Sequence, residues 1–446
     1  MSISFGETQA QTSKTYRLEA RTELRLKVSG DPLTVRLLEG SAEVFGAELA
    51  DEKPYKLSHG SCAIYTWEGC MIEVTGTSKP EPYVAKAPCM VEYANVHQIL
   101  NERRNAVARY LRSAEAKDNT EVCGPRVMVV GEANTGKSSI VRILINYAVR
   151  MAWKPTFVDL DPERNRLSIP GTITATPVEY VIGGGDEDEI MNHSVKLPLI
   201  YFYGHTSITD NKELYANLQE RLAESVEKRI KRPGADVEVR AGGVVIDTPA
   251  CLGDDDASIA SILHTIDVFK VDFVVVVDNE SLQRRLETDI TNPNVAVASV
   301  GKSGGVMSLN PAARKTERAR LIREYFYGAQ GELAPREQSI SLNKISIFST
   351  SQQESLPDTA LPLGQQSLLL RTGFAPVVPS QDIVGSIVAV SFATMNAELD
   401  KAPVAGFLYI KSVDSNTRTM LALAPNYDPI PGQHRALIGS IGWFDQ

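Results

Sequence analysis

The string GEANTGKSS at residues 131–139 decides the fold of this chain. It matches the pattern GxxxxGK[ST], which arises by chance about one time in a hundred in a chain of this length. The apolar run RVMVV precedes it, and a helical pattern with Ile143, Leu144 and Tyr147 follows it. A phosphate-binding loop needs this position, because its backbone N–H groups and the helix dipole must face the phosphates. The stretch predicts a P-loop that binds ATP or GTP; a plain surface turn is the alternative.

The residue types of the loop have separate predicted roles. Gly131 and Gly136 allow the backbone to wrap tightly, and Lys137 reaches the outer phosphates. The hydroxyl of Ser138 is offered to Mg²⁺. A guanine-specific NKxD motif is not found at the appropriate place, because the Asn-Lys pair at residues 211–212 lacks a preceding apolar strand and a following Asp. ATP is therefore favoured over a GTPase switch.

Acidic residues follow two other predicted strands. In FVDLD, Asp159 and Asp161 are two residues apart, so both point the same way near the carboxyl end of the sheet, where ligands bind. One of them could hold Mg²⁺ through water or accept a proton from an attacking hydroxyl, while the other caps a helix or turn. Asp247, in VVIDTP, ends another apolar strand like a Walker B residue; a structural turn is the alternative.

The surroundings of the P-loop alternate between strands and helices. RVMVV, TFVDLD, LIYFYG, GGVVIDTP and FVVVVD are almost continuously apolar, and amphipathic helix patterns separate them, one of them at residues 211–230. This pattern predicts an α/β fold with a parallel sheet covered on both faces. The acidic stretch GGGDEDE at residues 183–189 reads as a solvated inserted loop.

The two ends of the chain have a different pattern. Residues 16–86 show short alternating runs typical of an all-β domain, and residues 96–112 show a helical period. Strand-like segments recur after residue 327, between proline-rich spacers. We expect an N-terminal β-sandwich at residues 1–95, a linking helix with the P-loop domain at residues 96–328, and a smaller, mainly β domain at residues 329–446.

Composition narrows the function classes. The 446-residue chain has a net charge of −9, which argues against wrapping of nucleic acid by the whole surface, although a local basic groove is compatible with it. No apolar run approaches the ~20 residues of a membrane span, and the start shows no signal peptide, so we expect a soluble intracellular protein. The cysteine spacing favours free thiols over disulfides or a zinc site.

A basic segment, RKTERARLIR, spans residues 314–323 and follows the glycine-rich turn KSGGV. The segment predicts a helix. As a lid over the P-loop, it would direct arginines at the transferred phosphate. A solvated basic face is the equally weighted alternative.

Several strings extend beyond a generic P-loop: GSAEVFGAEL at 40–49, SIPGTITATPVE at 168–179, KSGGV at 302–306 and IREYFYG at 322–328. Together they resemble the eukaryotic polynucleotide 5′-hydroxyl kinase family, which includes the ATP-binding subunit of pre-mRNA cleavage factor IA. The resemblance implies a nuclear protein that binds ATP and Mg²⁺ between its N-terminal and central domains. It also implies assembly with the large scaffold subunit of that factor and with other 3′-end processing proteins, with RNA as a further candidate partner and no role for a membrane.

The resemblance carries site residues over by position. Glu23 matches the acid on the adenine side of the nucleotide, and Ser61 falls at the second adenine-side position, where the family often has Lys. The phosphate loop matches at Asn134, Thr135, Gly136, Lys137, Ser138 and Ser139. Mg²⁺ is assigned to Ser138, Asp161 and Asp247, directly or through water.

The residues that act on the phosphate acceptor depart from the family pattern. Active kinases have an Asp-x-x-Gln pair; here Asp161 is kept, but Arg164 replaces the Gln. Cys251 stands where they carry a Trp that stacks on the RNA end, and such stacking contributes roughly 1–3 kcal/mol. In the predicted lid, Arg314 and Arg318 match arginines, while Leu309 replaces a basic residue.

Two functions follow from this mixture. In the first, bound ATP is structural, and it stabilises a domain arrangement that a scaffold partner recognises. In the second, the protein is an active RNA 5′-hydroxyl kinase, with Asp161 as base, Arg314 and Arg318 as charge stabilisers and Ser138 on Mg²⁺. The altered acceptor residues favour the first, because they predict a weak or absent kinase.

Overall fold

The structure is a computed structural model of the chain. It describes residues 12–28, 30–58, 60–113, 121–183, 198–250, 255–329, 331–351, 374–425 and 434–444. Cys251 and most of the predicted acidic loop at residues 183–189 lie outside these ranges. Within the described residues, no helix is long and apolar enough to cross a membrane. Cys62, Cys70, Cys89 and Cys123 are free thiols, as the sequence led us to expect.

The N-terminal region is a sandwich of two antiparallel sheets. Its strands are β1 Ser13–Leu18, β2 Thr22–Val28, β3 Leu33–Gly40, β4 Glu43–Val44, β5 Ala47–Glu48, β6 Pro54–Leu57, β7 Gly60–Thr66, β8 Cys70–Thr75 and β9 Tyr83–Ala85. One sheet has the order β1-β8-β3-β6 and the other β5-β4-β7-β2-β9. Leu24, Leu26 and Val28 alternate along β2 and are all buried in the core of this sandwich. The period-2 pattern seen in the sequence therefore marks the face that forms the core.

A long helix connects the sandwich to the central region. This helix, α1, spans Met90–Leu111 and begins earlier than the predicted residue 96. Met90 and Tyr93 extend the buried stripe of Val96 and Leu100 by two further helical steps. The short apolar pattern used for the prediction therefore missed the first turns of the helix.

The central region is an α/β sheet around the P-loop, which confirms the predicted fold class. Its strands are β10 Arg126–Val130, β11 Thr156–Asp159, β12 Thr172–Pro177, β13 Leu199–Phe202, β14 Val244–Asp247, β15 Phe273–Val277 and β16 Ala296–Val300, in the order β13-β12-β11-β14-β10-β15-β16. The flanking helices are α2 Lys137–Arg150, α3 Lys212–Ile230, α4 Val237–Gly242, α5 Asp256–Phe269, α6 Glu280–Asp289 and α7 Pro311–Tyr327.

The sheet is mixed, whereas we expected it to be parallel. β10, β11, β14, β15 and β16 run parallel, but β12 is antiparallel to β11, and β13 is antiparallel to β12. A parallel return normally needs a helical crossover, and residues 160–171 between β11 and β12 form turns instead. The threonine-rich β12 gave no apolar run, so the sequence reading missed it.

Alternate residues of β10 enter two different cores. Val127 and Val129 pack on the side of α1 and α2, whereas Met128 and Val130 pack on the side of α3 and α5. All four side chains are buried. Burial on both faces explains why this strand reads as a continuous apolar run.

The C-terminal region is a mainly β domain, as predicted. Its strands are β17 Arg336–Ser341, β18 Ile345–Ser349, β19 Ala375–Val377, β20 Ser386–Ser391, β21 Val404–Asp414, β22 Thr419–Ala424 and β23 His434–Gly442, in the order β17-β22-β21-β20-β23-β18-β19. Aromatic pairs join it to the central region: Phe326 stacks on Trp443 with 5.6 Å between ring centroids, and Phe202 lies 6.1 Å from Phe407.

The two regions also approach each other at backbone distance. The amide of Ser440 donates to the carbonyl of Gly204 at 2.8 Å, and His205 Nδ1 lies 3.0 Å from Ser440 Oγ. A Cβ placed on Gly439 would lie 2.0 Å from Gly204 O. Glycine is therefore required at position 439, because any side chain would collide with the neighbouring backbone.

Replacing Gly439 with alanine should lower the free energy of unfolding by roughly 1–3 kcal/mol, the usual cost of overpacking. The matched control is Gly442→Ala in the same strand, where the added Cβ would be an ordinary 3.6 Å from Gly385 O. The control should stay within about 0.5 kcal/mol of the parent. Urea unfolding followed by far-UV circular dichroism measures both; equal midpoints for the two variants would contradict this close approach.

Candidate nucleotide-binding site

The predicted P-loop lies between β10 and α2, as its sequence requires. Gly136 is the N-cap of α2 and has φ +90°, and Asn134 has φ +58°, so both adopt the left-handed backbone conformation. No side chain caps the first turn of α2. A helix N-terminus reached through such a loop directs backbone N–H groups and the positive end of the helix dipole towards an anion.

Lys137 is folded back over the loop. Its side chain is 8% exposed, and its Nζ donates to the carbonyls of Gly131 at 2.9 Å and Glu132 at 2.8 Å. Thr135 Oγ1 donates to the same Glu132 carbonyl at 2.9 Å. These bonds hold the ammonium group within the loop, where a phosphate would meet it.

Two carboxyl groups face each other at the ends of adjacent parallel strands. Asp159 ends β11 and Asp247 ends β14, and the two residues are register partners. Both are buried, at 0% and 1% exposure. Burial raises the pKa of Asp159 well above its ordinary value, and the nearby charge of Asp247 raises it further. Burial also raises the pKa of Asp247, although a hydrogen bond from Ser138 opposes this shift.

Asp159 and Asp161 both close turns, whereas we expected one of them to do so. Asp159 Oδ1 accepts from the Asp161 amide at 3.0 Å, and its Oδ2 accepts from the Arg166 amide at 2.7 Å. Asp161 Oδ1 accepts from the Glu163 amide at 2.9 Å. Burial raises the pKa of Asp161, while the charges of Arg164 and Lys137 oppose the shift. The charge of Lys137 thus acts on both Asp161 and Asp247.

The donor atoms fit a magnesium ion that is shared with phosphates. Asp247 Oδ1 is buried without a hydrogen-bond partner among the described residues, and the Ser138 hydroxyl lies beside the same carboxyl group. In the described ranges, no group of three His, Cys, Asp or Glu side chains has metal-binding geometry. Mg²⁺ commonly takes one or two protein ligands and completes its shell with phosphate oxygens and water. Ser138 and Asp247 suit that role.

The two predicted adenine-side residues lie apart on the sandwich. Glu23 is in β2, is 3% exposed and accepts a hydrogen bond from Arg25 Nε at 2.6 Å. Ser61 is in β7 opposite Lys27, four residues further along β2, which corresponds to roughly 13 Å. Ser61 Oγ lies 2.9 Å from Met307 Sδ. The structure therefore does not bring Glu23 and Ser61 together.

A single stretch of chain spans the gap between the sandwich and the P-loop. We call residues 303–309 the bridging segment. On the sandwich side, a Cβ placed on Gly304 would lie 2.7 Å from Arg25 Nη1. On the P-loop side, Val306 contacts Gly136, and the amide of Leu309 donates to Asn134 Oδ1 at 3.3 Å. The paired glycines of KSGGV were the sequence signal for this close approach, which we had read only as a turn.

The predicted lid arginines have a partner that neither sequence alternative included. Arg314 Nη1 lies 2.8 Å from Glu163 Oε2, and Arg318 Nη1 lies 2.9 Å from Glu163 Oε1. Both arginines are partly buried against this carboxylate. Sequence reasoning missed Glu163, because a glutamate in a turn carries no signal without its distant partners.

The P-loop helix packs directly on the sandwich. Tyr147 Oη donates to the buried Glu43, and Arg150 Nη1 lies 2.8 Å from Glu43 Oε2. Asn146 Nδ2 donates to the Phe45 carbonyl at 2.9 Å. The helix that begins at the P-loop is therefore fixed to the N-terminal region by charged and polar contacts.

Known families cover most of the chain. Residues 17–107 match the N-terminal beta-sandwich domain of polyadenylation factor. Residues 131–328 match the family described as mRNA cleavage and polyadenylation factor CLP1 P-loop. Residues 333–445 match the family described as pre-mRNA cleavage complex II protein Clp1.

Full-length relatives are also similar. The chain is 34% identical to "Protein CLP1 homolog" of Arabidopsis thaliana, over 97% of this chain and 94% of the relative. It is 35% identical to "Polyribonucleotide 5'-hydroxyl-kinase Clp1" of Gallus gallus, over 99% and 98%.

Two solved structures share the fold. One is described as the wild-type Clp1p-Pcf11p complex; it is 23% identical, has a TM-score of 0.77, and the match covers 98% of this chain and 99% of that one. The other is described as an extended interface between Pcf11p and Clp1p with the structural basis for ATP loss in a point mutant. It is 22% identical, has a TM-score of 0.78, and the match covers 98% and 100%.

The buried carboxyl groups predict a conflict between stability and ligand binding. Their pKa values lie above the ordinary 3.8, so the folded state binds these protons more tightly than the unfolded chain. The stability that they contribute is present below pH 3.8 and is lost as the pH rises through the raised values. At neutral pH, Asp247→Asn should therefore stabilise the nucleotide-free protein by roughly 0.5–2 kcal/mol.

The same variant should weaken ATP binding in the presence of Mg²⁺ by about tenfold or more, because the ion loses a charged ligand. Urea unfolding and calorimetric titration measure the two effects. Asp267→Asn, at an exposed position of α5, is the control and should change neither. A less stable Asp247→Asn protein that keeps its Mg²⁺-dependent affinity would contradict this assignment.

Proposed function

The chain belongs to the Clp1 family, and from this membership we propose that it is an ATP-binding subunit of the pre-mRNA 3′-end cleavage and polyadenylation machinery. In this proposal ATP acts structurally and is not turned over at an ordinary enzymatic rate. The matching family is described as an mRNA cleavage and polyadenylation factor, which supports a role in 3′-end processing. A nuclear site of action follows from that process.

The observation that carries the proposal is the position of the bridging segment. It touches Arg25 and Ser61 on the sandwich, and Gly136 and Asn134 on the P-loop. Phosphates bound to the P-loop would therefore lie beside the contacts that join the two regions. A ligand that binds a folded arrangement and not the unfolded chain stabilises that arrangement by mass action.

The residues of the chain would divide the work of holding ATP. Lys137 and the N-terminus of α2 would balance the phosphate charge, and Mg²⁺ bound through Ser138 and Asp247 would supply further positive charge to the phosphates. Glu23 on the sandwich is our proposed adenine-side contact. The nucleotide would then touch both regions at once, which is what a structural clamp requires.

The proposed partner is the large scaffold subunit of cleavage factor IA. Two solved structures with this fold are described as complexes of Clp1p with Pcf11p, a protein partner of that relative. A partner that recognises a particular arrangement of the domains would bind more tightly when the arrangement is stabilised by ATP. Other 3′-end processing proteins and RNA are further candidate partners.

One observation favours a second function, an active ATP-dependent RNA 5′-hydroxyl kinase. Asp161 lies within reach of the Lys137 charge, and its pKa is raised by burial, which suits a group that accepts a proton from a hydroxyl. Relatives from Gallus gallus and Danio rerio are named "Polyribonucleotide 5'-hydroxyl-kinase Clp1". Against it, Arg164 stands in the acceptor turn where the active kinases have Gln, so Asp161 faces a cation instead.

Purified protein should retain about one ATP per chain through extensive dialysis. It should transfer no label from ATP to a 5′-hydroxyl RNA oligonucleotide at ordinary turnover, since typical enzymes turn over at roughly 1–1000 per second. Lys137→Ala should lose the nucleotide, whereas Lys212→Ala, at the exposed start of α3, should keep it. Chromatography of released nucleotide and a radiolabel transfer assay measure these outcomes. Lys137-dependent transfer at enzymatic rates would establish the kinase instead.

A further inference from the structure

We propose that Glu163 sets the nucleotide selectivity of this site, because its carboxylate competes with the γ-phosphate of ATP for Arg314 and Arg318. The inference rests on the proposed function, since it requires ATP on the P-loop. It concerns a residue to which no sequence pattern assigned a role. The ligand group at issue is the terminal phosphate, which distinguishes ATP from ADP.

Both oxygens of Glu163 are used by the lid helix. Oε2 lies 2.8 Å from Arg314 Nη1 and Oε1 lies 2.9 Å from Arg318 Nη1. The three side chains are 22%, 22% and 26% exposed, for Glu163, Arg314 and Arg318 respectively. Partly buried, charge-assisted hydrogen bonds of this kind are stronger than bonds between neutral groups. One carboxylate thus partly neutralises two guanidinium groups.

The cluster of Glu163, Arg314 and Arg318 lies beside the P-loop. Arg314 Nε donates to the Leu309 carbonyl at 3.3 Å, and the Leu309 amide donates to Asn134 Oδ1 at 3.3 Å. In addition, Asp161 accepts a hydrogen bond from the Glu163 amide, and the charge of Lys137 opposes the rise that burial causes in the pKa of Asp161. Glu163 is therefore connected to the P-loop region in two ways, through Arg314 and Leu309 and through Asp161.

The turn before Glu163 presents its carboxylate to the helix. Asp161 Oδ1 accepts from the Glu163 amide at 2.9 Å, which closes the turn around Pro162. Arg320 on the same helix differs, because it pairs with Glu317 and Glu324 of its own helix. The acid that binds Arg314 and Arg318 comes from the acceptor turn, so these two arginines are held by a separate element of the fold.

This geometry reduces the contribution of the γ-phosphate to the binding free energy of the nucleotide. Arginines that are free would bind the terminal phosphate and favour ATP strongly over ADP. Arginines that are already bound to Glu163 must give up this carboxylate before they can bind the γ-phosphate. The γ-phosphate therefore adds less to the binding free energy of ATP. The site would then hold ATP mainly through the P-loop, and the arginines would stabilise the γ-phosphate only weakly.

The experiment compares bound nucleotides directly. The protein is equilibrated, in the presence of Mg²⁺, with ADP and a hydrolysis-resistant ATP analogue. The two nucleotides are at equal concentrations and in excess over the protein, and the analogue has an imido bridge between its β and γ phosphorus atoms. After gel filtration, the bound nucleotides are released and quantified by chromatography. Glu163→Gln should raise the bound ratio of triphosphate to diphosphate by about tenfold, because the charge that competes is removed and the side-chain shape is kept.

Three further variants isolate the cause. Glu324→Gln removes a partner of Arg320 and should leave the ratio within about twofold of the parent. Glu163→Gln combined with Arg314→Gln and Arg318→Gln should lose the tenfold gain. Arg314→Gln with Arg318→Gln alone should lower the ratio below that of the parent, because it leaves the Glu163 carboxylate unpaired beside the γ-phosphate; this test does not depend on the folding of a Glu163 variant.

The outcomes separate the two claims. A parent protein that binds neither nucleotide contradicts the proposed function. A parent that binds both, with an unchanged ratio in Glu163→Gln, overturns the role of Glu163 and leaves the proposed function standing. A gain that survives removal of both arginines, or an unchanged ratio when the arginines alone are replaced, also overturns it.

Discussion

The contact between Arg25 and the bridging segment is the constraint on which the nucleotide site depends. A Cβ on Gly304 would lie 2.7 Å from Arg25 Nη1, and one on Gly305 would lie 3.2 Å from Arg25 Nε. The guanidinium of Arg25 therefore lies against the backbone of these two glycines, where a side chain would collide with it. Arg25 is in turn bound by the buried Glu23. Through this contact a strand of the sandwich holds a segment whose other side touches the P-loop. The position of the sandwich and the shape of the phosphate site are therefore coupled.

Ionisable groups are concentrated at this site. Asp159, Asp161 and Asp247 are crowded near the ends of two strands, and burial raises the pKa of each. Lys137 lies nearby, and the two lid arginines are drawn to Glu163. A magnesium ion with a polyphosphate supplies both the cation and the anion that such an arrangement favours. This balance supports a site that retains its ligand, while the occupied arginines argue against rapid transfer of the γ-phosphate.

Local patterns made the fold class and the P-loop predictable, but contacts between distant segments were not. GEANTGKSS encodes its own conformation, because its glycines and the adjacent strand and helix are contiguous in the sequence. The antiparallel β12 was missed, since its threonines are buried within a sheet and give no apolar run. The role of Glu163 depends on residues about 150 positions away, and the bridging segment depends on Arg25 near the N-terminal end. Hydrophobic periodicity carries no information about contacts between residues so far apart in the sequence. Cys251 lies outside the described residues.

Amide hydrogen exchange with and without nucleotide measures whether ATP holds the sandwich and the P-loop region together. Peptides from residues 303–309 and from β2 are compared before and after ATP is removed with a Mg²⁺ chelator and dialysis. Both sets of peptides should exchange faster after ATP is removed, since the contacts that the nucleotide stabilises open more often. Exchange in β20 to β22 should stay unchanged. If the bridging segment and β2 each exchange at the same rate with one ATP bound per chain as they do without ATP, the nucleotide does not hold the two regions together.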